Sequence, residues 1–157
     1  ETLVDVPNTT SIDLVGTMTV SAWVKLGTDN ASNQRLLTKG TSDGYHLYWL
    51  SGGELAFGNS TGFKKTVAIY SATDGWIHVT ATYDNSGTFA GYLLYINGQL
   101  VTSTATAGSF AAFASGGTLG IGGRSGWPGT NGSIDEVRIY NRALTASEVL
   151  GLYNQSR

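Results

Sequence analysis

An all-β fold of two packed antiparallel sheets with one short C-terminal helix is what this chain predicts, on three observations. Two stretches, Thr17 to Leu26 and Trp76 to Tyr83, alternate apolar and polar residues with a period of two, as strands buried on one face do. Glycine is abundant at 22 residues and proline scarce at two, which suits many short strands joined by tight turns. A helix start signal stands near the end. Thr145 and Glu148 form a capping box, and Leu144 and Val149 occupy the two staple positions.

The elements follow in order. Thr2 to Val6 reads as an edge strand closed by Pro7, and residues 11–14 as a single helical turn. In Thr17 to Leu26, Met18, Val20, Ala22 and Val24 face inward, and Thr19, Ser21, Trp23 and Lys25 face out. Gly27 to Gln34 is a polar loop. Leu36 to Lys39, Tyr45 to Leu50, Glu54 to Gly58 and Thr66 to Tyr70 are short strands. In Trp76 to Tyr83, Ile77, Val79, Ala81 and Tyr83 point in, while Trp76, His78, Thr80 and Thr82 point out. Tyr92 to Ile96 places Tyr92, Leu94 and Ile96 on the core face, and Asn97-Gly98 signals a two-residue hairpin. Ala105 to Gly117 is rich in small residues and has no assignable period. Thr118 to Gly122 is a strand, and Arg124 to Gly132 a loop carrying Trp127-Pro128. In the last strand, Ser133 to Tyr140, Asp135 shares the buried phase with Val137 and Ile139. A carboxylate buried there without a partner would cost several kcal/mol, so something must compensate it.

Bulk properties exclude several functions. The 157 residues make one domain by length, and a globule of that size buries about 70% of its unfolded surface. Cysteine is absent, which removes disulfides and thiolate metal sites. The net charge is −2, and Lys64-Lys65 is the only adjacent basic pair, so nucleic acid is not an expected partner. No apolar run is long enough to insert across a bilayer.

The C-terminal run Ile134-Asp-Glu-Val-Arg-Ile-Tyr-Asn-Arg-Ala-Leu144, followed by a capped helix, resembles the signature of laminin-G-like (LamG-like) jelly-roll domains. Val4-Asp-Val-Pro7, Val20-Ser-Ala-Trp-Val-Lys25, Thr38-Lys-Gly40, Trp76-Ile-His-Val-Thr-Ala-Thr-Tyr-Asp84, Leu94-Tyr-Ile-Asn-Gly98 and Leu119-Gly-Ile-Gly-Gly123 fall in that family's order. The resemblance covers essentially all of residues 1–157. It implies a concanavalin A-like jelly-roll sandwich and an extracellular, secreted or cell-surface setting. The family's pattern begins before Glu1, so the piece is expected to be excised or trimmed at its N-terminus, with its first edge covered in the parent protein. An architecture of this kind carries no common substrate.

Related jelly-roll folds include enzymes. The retaining glycosidases among them use Glu-x-Asp-x-x-Glu, placing two carboxylates close together. None of Glu1, Glu54, Glu136 and Glu148 has an aspartate two residues on, and the two histidines lack metal-ligand spacing. His78 reads as an ordinary surface histidine. The chain is therefore expected to be non-catalytic. Its expected partner is a polysaccharide or other glycan, or alternatively a protein in a larger surface or filament assembly.

Binding residues are sought among aromatics and their polar neighbours, because a sugar ring lays its apolar face on an indole or phenol while side chains meet its hydroxyls. Trp127 is the sharpest candidate. It sits in a glycine-rich loop, with Arg124 and Asn131 supplying polar contacts, although a loop anchor is an equal reading of it. Tyr48 and Tyr95 lie in outward phases and are placed to floor a site on a sheet. Trp49 is in phase with the core, and Trp23 and Trp76 occupy family positions that serve the fold. For Asp135 two readings stay open. The resemblance implies a structural calcium, held in several jelly-roll carbohydrate proteins by a matching aspartate; the other reading is backbone N–H groups or a guanidinium from Arg138 or Arg142.

Overall fold

Residues that alternate in sequence do form the strands, and the two sides of each strand meet different neighbours. The computed structural model describes residues 3–28, 32–40, 42–106 and 108–155. Its strands are Val4–Val6 (β1), Met18–Leu26 (β2), Gln34–Lys39 (β3), His46–Trp49 (β4), Leu55–Gly58 (β5), Phe63–Thr66 (β6), Trp76–Tyr83 (β7), Tyr92–Ile96 (β8), Gln99–Leu100 (β9), Ser103–Ala105 (β10), Leu119–Ile121 (β11) and Gly132–Tyr140 (β12), and Ala146–Gln155 is a helix (α1). Seven strands pair antiparallel in the order β1-β11-β3-β4-β5-β6-β10, and five in the order β12-β2-β7-β8-β9. The jelly-roll sandwich expected from the sequence is the fold observed.

The core lies between the sheets. Met18, Val20, Ala22 and Val24 from β2 meet Leu36, Leu37, Leu47, Trp49, Leu55 and Phe57 from the facing sheet. The irregular segment after β10 had no legible period, yet it sends Phe113 into this core and packs Phe110 against it. Tyr92 and Phe113 stack with centroids 5.7 Å apart and planes 13° apart, and Tyr83 meets both at steep angles.

The polar faces of β2 and β7 are not surface. Thr19, Ser21, Thr80, Thr82 and His78 are all buried, because the chain after β12 folds back over the five-stranded sheet. The Thr19 hydroxyl donates to the Arg142 carbonyl at 2.8 Å and accepts from the Leu144 N–H at 2.9 Å. Leu144 and Val149, the staple residues, close a second small core with Tyr95. The capping box is formed: Glu148 Oε2 accepts from the Thr145 N–H at 2.8 Å, and Thr145 Oγ1 accepts from the Glu148 N–H at 3.3 Å. Period-two alternation identifies the face toward the sandwich but carries no information about what covers the other side. His78, expected at the surface, is 3% exposed. Its ring lies 5.3 Å from Trp23 and 6.1 Å from Tyr153 of α1, and burial, with Arg138 adding to it, lowers its pKa to about 4.

Two smaller expectations need correction. The strand placed at Thr66 to Tyr70 is instead Phe63–Thr66. Thr66 ends it: its hydroxyl accepts from the Leu55 N–H and donates to the Ala68 carbonyl, so the backbone turns away from the ladder. No helical turn forms at residues 11–14; a hydrogen-bonded turn stands at residues 9–12 instead, Ile12 N–H to Thr9 carbonyl at 3.1 Å. The Asn97-Gly98 hairpin is as expected, with both residues left-handed at φ 50° and 77°.

Two β-bulges break the alternation. One lies in β3 between Arg35 and Leu37, the other in β12 between Asp135 and Arg138. A bulge inserts one residue and turns everything beyond it to the opposite face. Arg35 and Lys39 are four apart and would share a face in a regular strand. Here Leu36 and Leu37 both enter the core, Arg35 stays outside, and Lys39 points inward. The Lys39 ammonium, 1% exposed, donates to Asn8 Oδ1 (2.8 Å), Asp13 Oδ1 (2.9 Å) and the carbonyls of Gly116 (2.8 Å) and Gly117 (2.7 Å). It ties the segment after β1 to the loop before β11.

Candidate functional site: an aromatic face around Arg35

The outer face of the seven-stranded sheet is built from side chains that alternate with its core residues. In β4, Leu47 and Trp49 are core, so His46 and Tyr48 face out. Arg35 of β3 lies across from Tyr48, and its guanidinium carbon sits 4.5 Å above the Tyr48 ring. The 124–131 loop folds over the same side. Its Trp127 ring is also 4.5 Å from the Arg35 guanidinium, and it meets His46 edge-on at 5.6 Å. Phe63 of β6 extends the row, 5.4 Å from Tyr48. One cation thus lies between two aromatic rings, and such contacts contribute about 0.5–2 kcal/mol each, more as water is excluded.

Arg35 has no carboxylate partner among the described residues. Its Nε–H is buried without an acceptor, and burial lowers the guanidinium pKa, with the neighbouring Tyr48 as a smaller opposing influence. Tyr48 in turn is pushed well above the usual phenol range by burial. A half-buried cation held by ring faces alone can still accept an oxygen-rich partner.

Of the residues expected to bind, the structure brings Trp127 and Tyr48 together and sends the others elsewhere. Tyr48 is outward as expected but only 4% exposed, since Arg35 covers it; it supports the guanidinium and does not floor an open site. Tyr95 is on the other sheet, 2% exposed beneath α1, and cannot share this face. The Arg124 guanidinium is used to pin the loop, donating from Nη1 to the Gly40 carbonyl. Asn131 anchors the loop's far end: its N–H donates to Gln34 Oε1 at 2.9 Å and its carbonyl accepts from the Gly27 N–H at 2.7 Å. Arg35 was not singled out from sequence. Its outward position depends on the β3 bulge, which no residue pattern announces.

Residues 1–150 match the sequence profile of a laminin-G-type family described as the concanavalin A-like lectin/glucanases superfamily. The chain belongs to that superfamily. No curated protein is similar enough in sequence to match it. Among solved structures it is similar to a heptameric SAP-like pentraxin from Limulus polyphemus, at 18% identity over 96% of this chain and 81% of that one, with a TM-score of 0.64. It is also similar to the CBM40 of a Ruminococcus gnavus IT-sialidase bound to α2,3-sialyllactose, at 17% identity over 98% and 96% of the two chains, TM-score 0.63. A third is a botulinum neurotoxin type C structure whose cell entry depends on two ganglioside molecules, at 17% identity and TM-score 0.70. There the match covers 99% of this chain but only 40% of the toxin chain. At these identities the likeness establishes the superfamily fold.

Asp135, the metal candidate, departs from expectation. The β12 bulge reverses the phase at that point: Asp135 lies across from the outward Trp23, while Ile134 lies across from the core residue Val24. Asp135 is exposed, and its Oδ1 accepts from the Glu136 N–H at 2.8 Å. The buried charge that called for a cation is not there. Calcium takes six to eight oxygen ligands, and among the described residues no three acidic, histidine or cysteine side chains converge.

Proposed function

We propose that this domain is a non-catalytic, extracellular carbohydrate-binding module that takes glycans across the Arg35 face. The observation that carries the reading is the Arg35 guanidinium itself, set between the Tyr48 and Trp127 rings with no carboxylate to neutralise it. Trp127 offers the apolar ring for stacking, and Arg35 offers donors to hydroxyl or carboxylate oxygens. A saccharide bearing an acid group suits this cation best. Support comes from two fold neighbours, one bound to sialyllactose and one dependent on gangliosides for cell entry; the same neighbours support a secreted or surface location. A non-catalytic role is supported by three glutamates that are already ion-paired: Glu54 with Lys65, Glu136 with Arg138 and Glu148 with Arg142, at 2.6–2.8 Å.

One stacked indole burying on the order of 100 Å² contributes about 2.5 kcal/mol before ordering costs, so affinity should be weak, roughly millimolar for a single site. Multivalency or tethering would make it useful. Calorimetric titration with sialyllactose tests the reading, and Trp127→Ala should weaken binding about tenfold or more while the domain stays folded. Equal binding by that variant would place the ligand elsewhere. A protein-adhesion role is the second reading, favoured by Val67 and Ile69, which are 59% and 70% exposed beyond β6. Failure of every glycan to bind would select it.

A further inference from the structure

On the opposite sheet a groove of about 310 Å³ is lined by Trp23, Trp76, Asp135 and Glu136. The two indoles come from adjacent strands, with Trp23 across from His78 and Lys25 across from Trp76. Ala22 and Val24 beside Trp23, and Ile77 beside Trp76, are core residues, so both indoles stand on the solvent side of the sheet. Trp76 is 44% exposed, the one exposed tryptophan of the four. Trp23 is braced: Tyr153 of α1 stacks on it at 5.6 Å and 30°, and His78 lies against it. One wall of the groove is thus free to meet a ligand and the other is held rigid.

The acidic wall is made by the β12 bulge. Glu136 sits in the left-handed region at φ 51°, a conformation that costs a non-glycine residue on the order of 1 kcal/mol. The bulge brings two consecutive carboxylates to the groove, where a regular strand would send them to opposite faces. Glu136 is tied to Arg138 at 2.6 Å. The second oxygen of Asp135 has no partner among the described residues. Lys25, exposed, lies across from Trp76 on one side and Ser133 on the other. The two acids are therefore balanced by two bases around the groove.

We infer that this groove is a second saccharide subsite, selective for neutral sugars, with Trp76 as the stacking platform and Asp135 as the hydroxyl acceptor. A neutral pyranose has a C–H face for an indole and hydroxyls that donate to carboxylates. An acidic sugar would meet Asp135 and Glu136 head-on, and the balancing Arg138 and Lys25 remove any strong pull on a cationic ligand. The volume is at the small end of ligand pockets, which run from about 300 Å³ upward, and so fits one or two sugar units. The subsite does not rest on the Arg35 face. It lies on the other sheet and favours neutral rather than acidic sugars, so the domain presents two different subsites back to back.

The test follows the indole N–H resonances of the folded domain during titration with neutral gluco-, galacto- and manno-oligosaccharides, and separately with sialyllactose. A neutral oligosaccharide should shift Trp76 and Trp23. Trp76→Ala should weaken that binding at least tenfold and Asp135→Asn several-fold, while Arg35→Ala leaves it unchanged. Sialyllactose should leave Trp76 unmoved. The inference is overturned if no neutral oligosaccharide moves Trp76, if the neutral sugars move Trp127 instead, or if sialyllactose occupies the groove as well as they do.

Discussion

Arg35 and Lys39 are cations on one strand, four residues apart, and the molecule treats them in opposite ways. Lys39 turns inward and is surrounded by four oxygens, including the Asp13 carboxylate at 2.9 Å. Arg35 turns outward and is met by two ring faces at 4.5 Å and by no carboxylate. A buried ion whose hydrogen bonds are all met within the chain fixes loops and has nothing left for a ligand. One that is partly desolvated and incompletely bonded is where a partner can still contribute. The bulge between Arg35 and Leu37 makes the difference, by placing the two on opposite sides of the sheet.

The largest expected effect tests the Lys39 half. Lys39→Met keeps the length of the side chain but leaves Asp13 and two carbonyls facing an apolar group. Breaking a fully buried pair typically costs about 3–5 kcal/mol; the Asp13 side chain is 21% exposed, so the loss should be smaller than that and lower Tm by several degrees in a domain of this size. Glycan binding by the folded fraction should persist. Pairing the change with Asp13→Asn should recover part of the loss, a coupling that a double-mutant cycle measures. A loss under about 1 kcal/mol would mean that the oxygen cage is not what holds the two segments together.

Arg35→Gln is the converse. No carboxylate is orphaned, and what is lost is the pair of ring contacts, so stability should fall by about 1–2 kcal/mol, less than for the Lys39 change. Binding of an acidic oligosaccharide should fall by about tenfold to a hundredfold, the range of a charge-assisted hydrogen bond of about 1.5–3 kcal/mol. If Arg35→Gln instead unfolds the domain with binding intact, the contrast between the two cations collapses.

How legible this was from sequence depends on the same bulges. Strands such as Trp76 to Tyr83 and Tyr92 to Ile96, the Asn97-Gly98 turn and the helix cap at Thr145 were readable because each is a local rule: period, turn chemistry, capping. Trp127 was readable as a candidate because an indole in a glycine-rich loop has no periodic reason to be there. Arg35 and the outward turn of Asp135 were not, since each depends on one inserted residue that shifts the phase. Tyr95 and His78 were misplaced for another reason. Alternation showed that they leave the main core, but only the packing of α1 shows that a second layer covers them.

His78 offers a third way of handling a buried ionisable group, which is to give up the charge. Its folded pKa of about 4 lies below the ordinary 6.5, so between those values the unfolded chain binds the additional proton. Stability should therefore decline as pH falls from about 6.5 to about 4, and vary little on this account above 6.5. Allowing for screening by nearby water, the loss is on the order of 2 kcal/mol. Glu148, whose pKa is held near 2 chiefly by Arg142, and Asp13, lowered first by the Gly116 N–H and then by Lys39, add losses of the same sign at lower pH. Replacing His78 with Phe should flatten the upper part of the curve and leave the acid limb. A His78→Phe curve parallel to wild type would assign the slope to other groups.

The smallest expected effect concerns Asp135, the group that needs no compensation at all. A calcium ion there was motivated by burial, and burial is what the bulge removes: the carboxylate is exposed and accepts one hydrogen bond from its own neighbour. A ligand that binds the native state at a hundredfold excess over Kd adds about 2.7 kcal/mol, several degrees in Tm for a domain of this length. With one exposed carboxylate, and Glu136 already drawn to Arg138, the gain should be far below that. Thermal melts in calcium and in chelator should then superimpose within about a degree. Asp135→Asn should be as stable as wild type in both, since an exposed acid removed from solvent contact with no partner lost changes stability by less than about 0.5 kcal/mol. A clear upward shift with calcium, abolished by Asp135→Asn, would show that Asp135 does share a cation with oxygens not yet accounted for, and would place this carboxylate beside Lys39 as a second internally compensated charge.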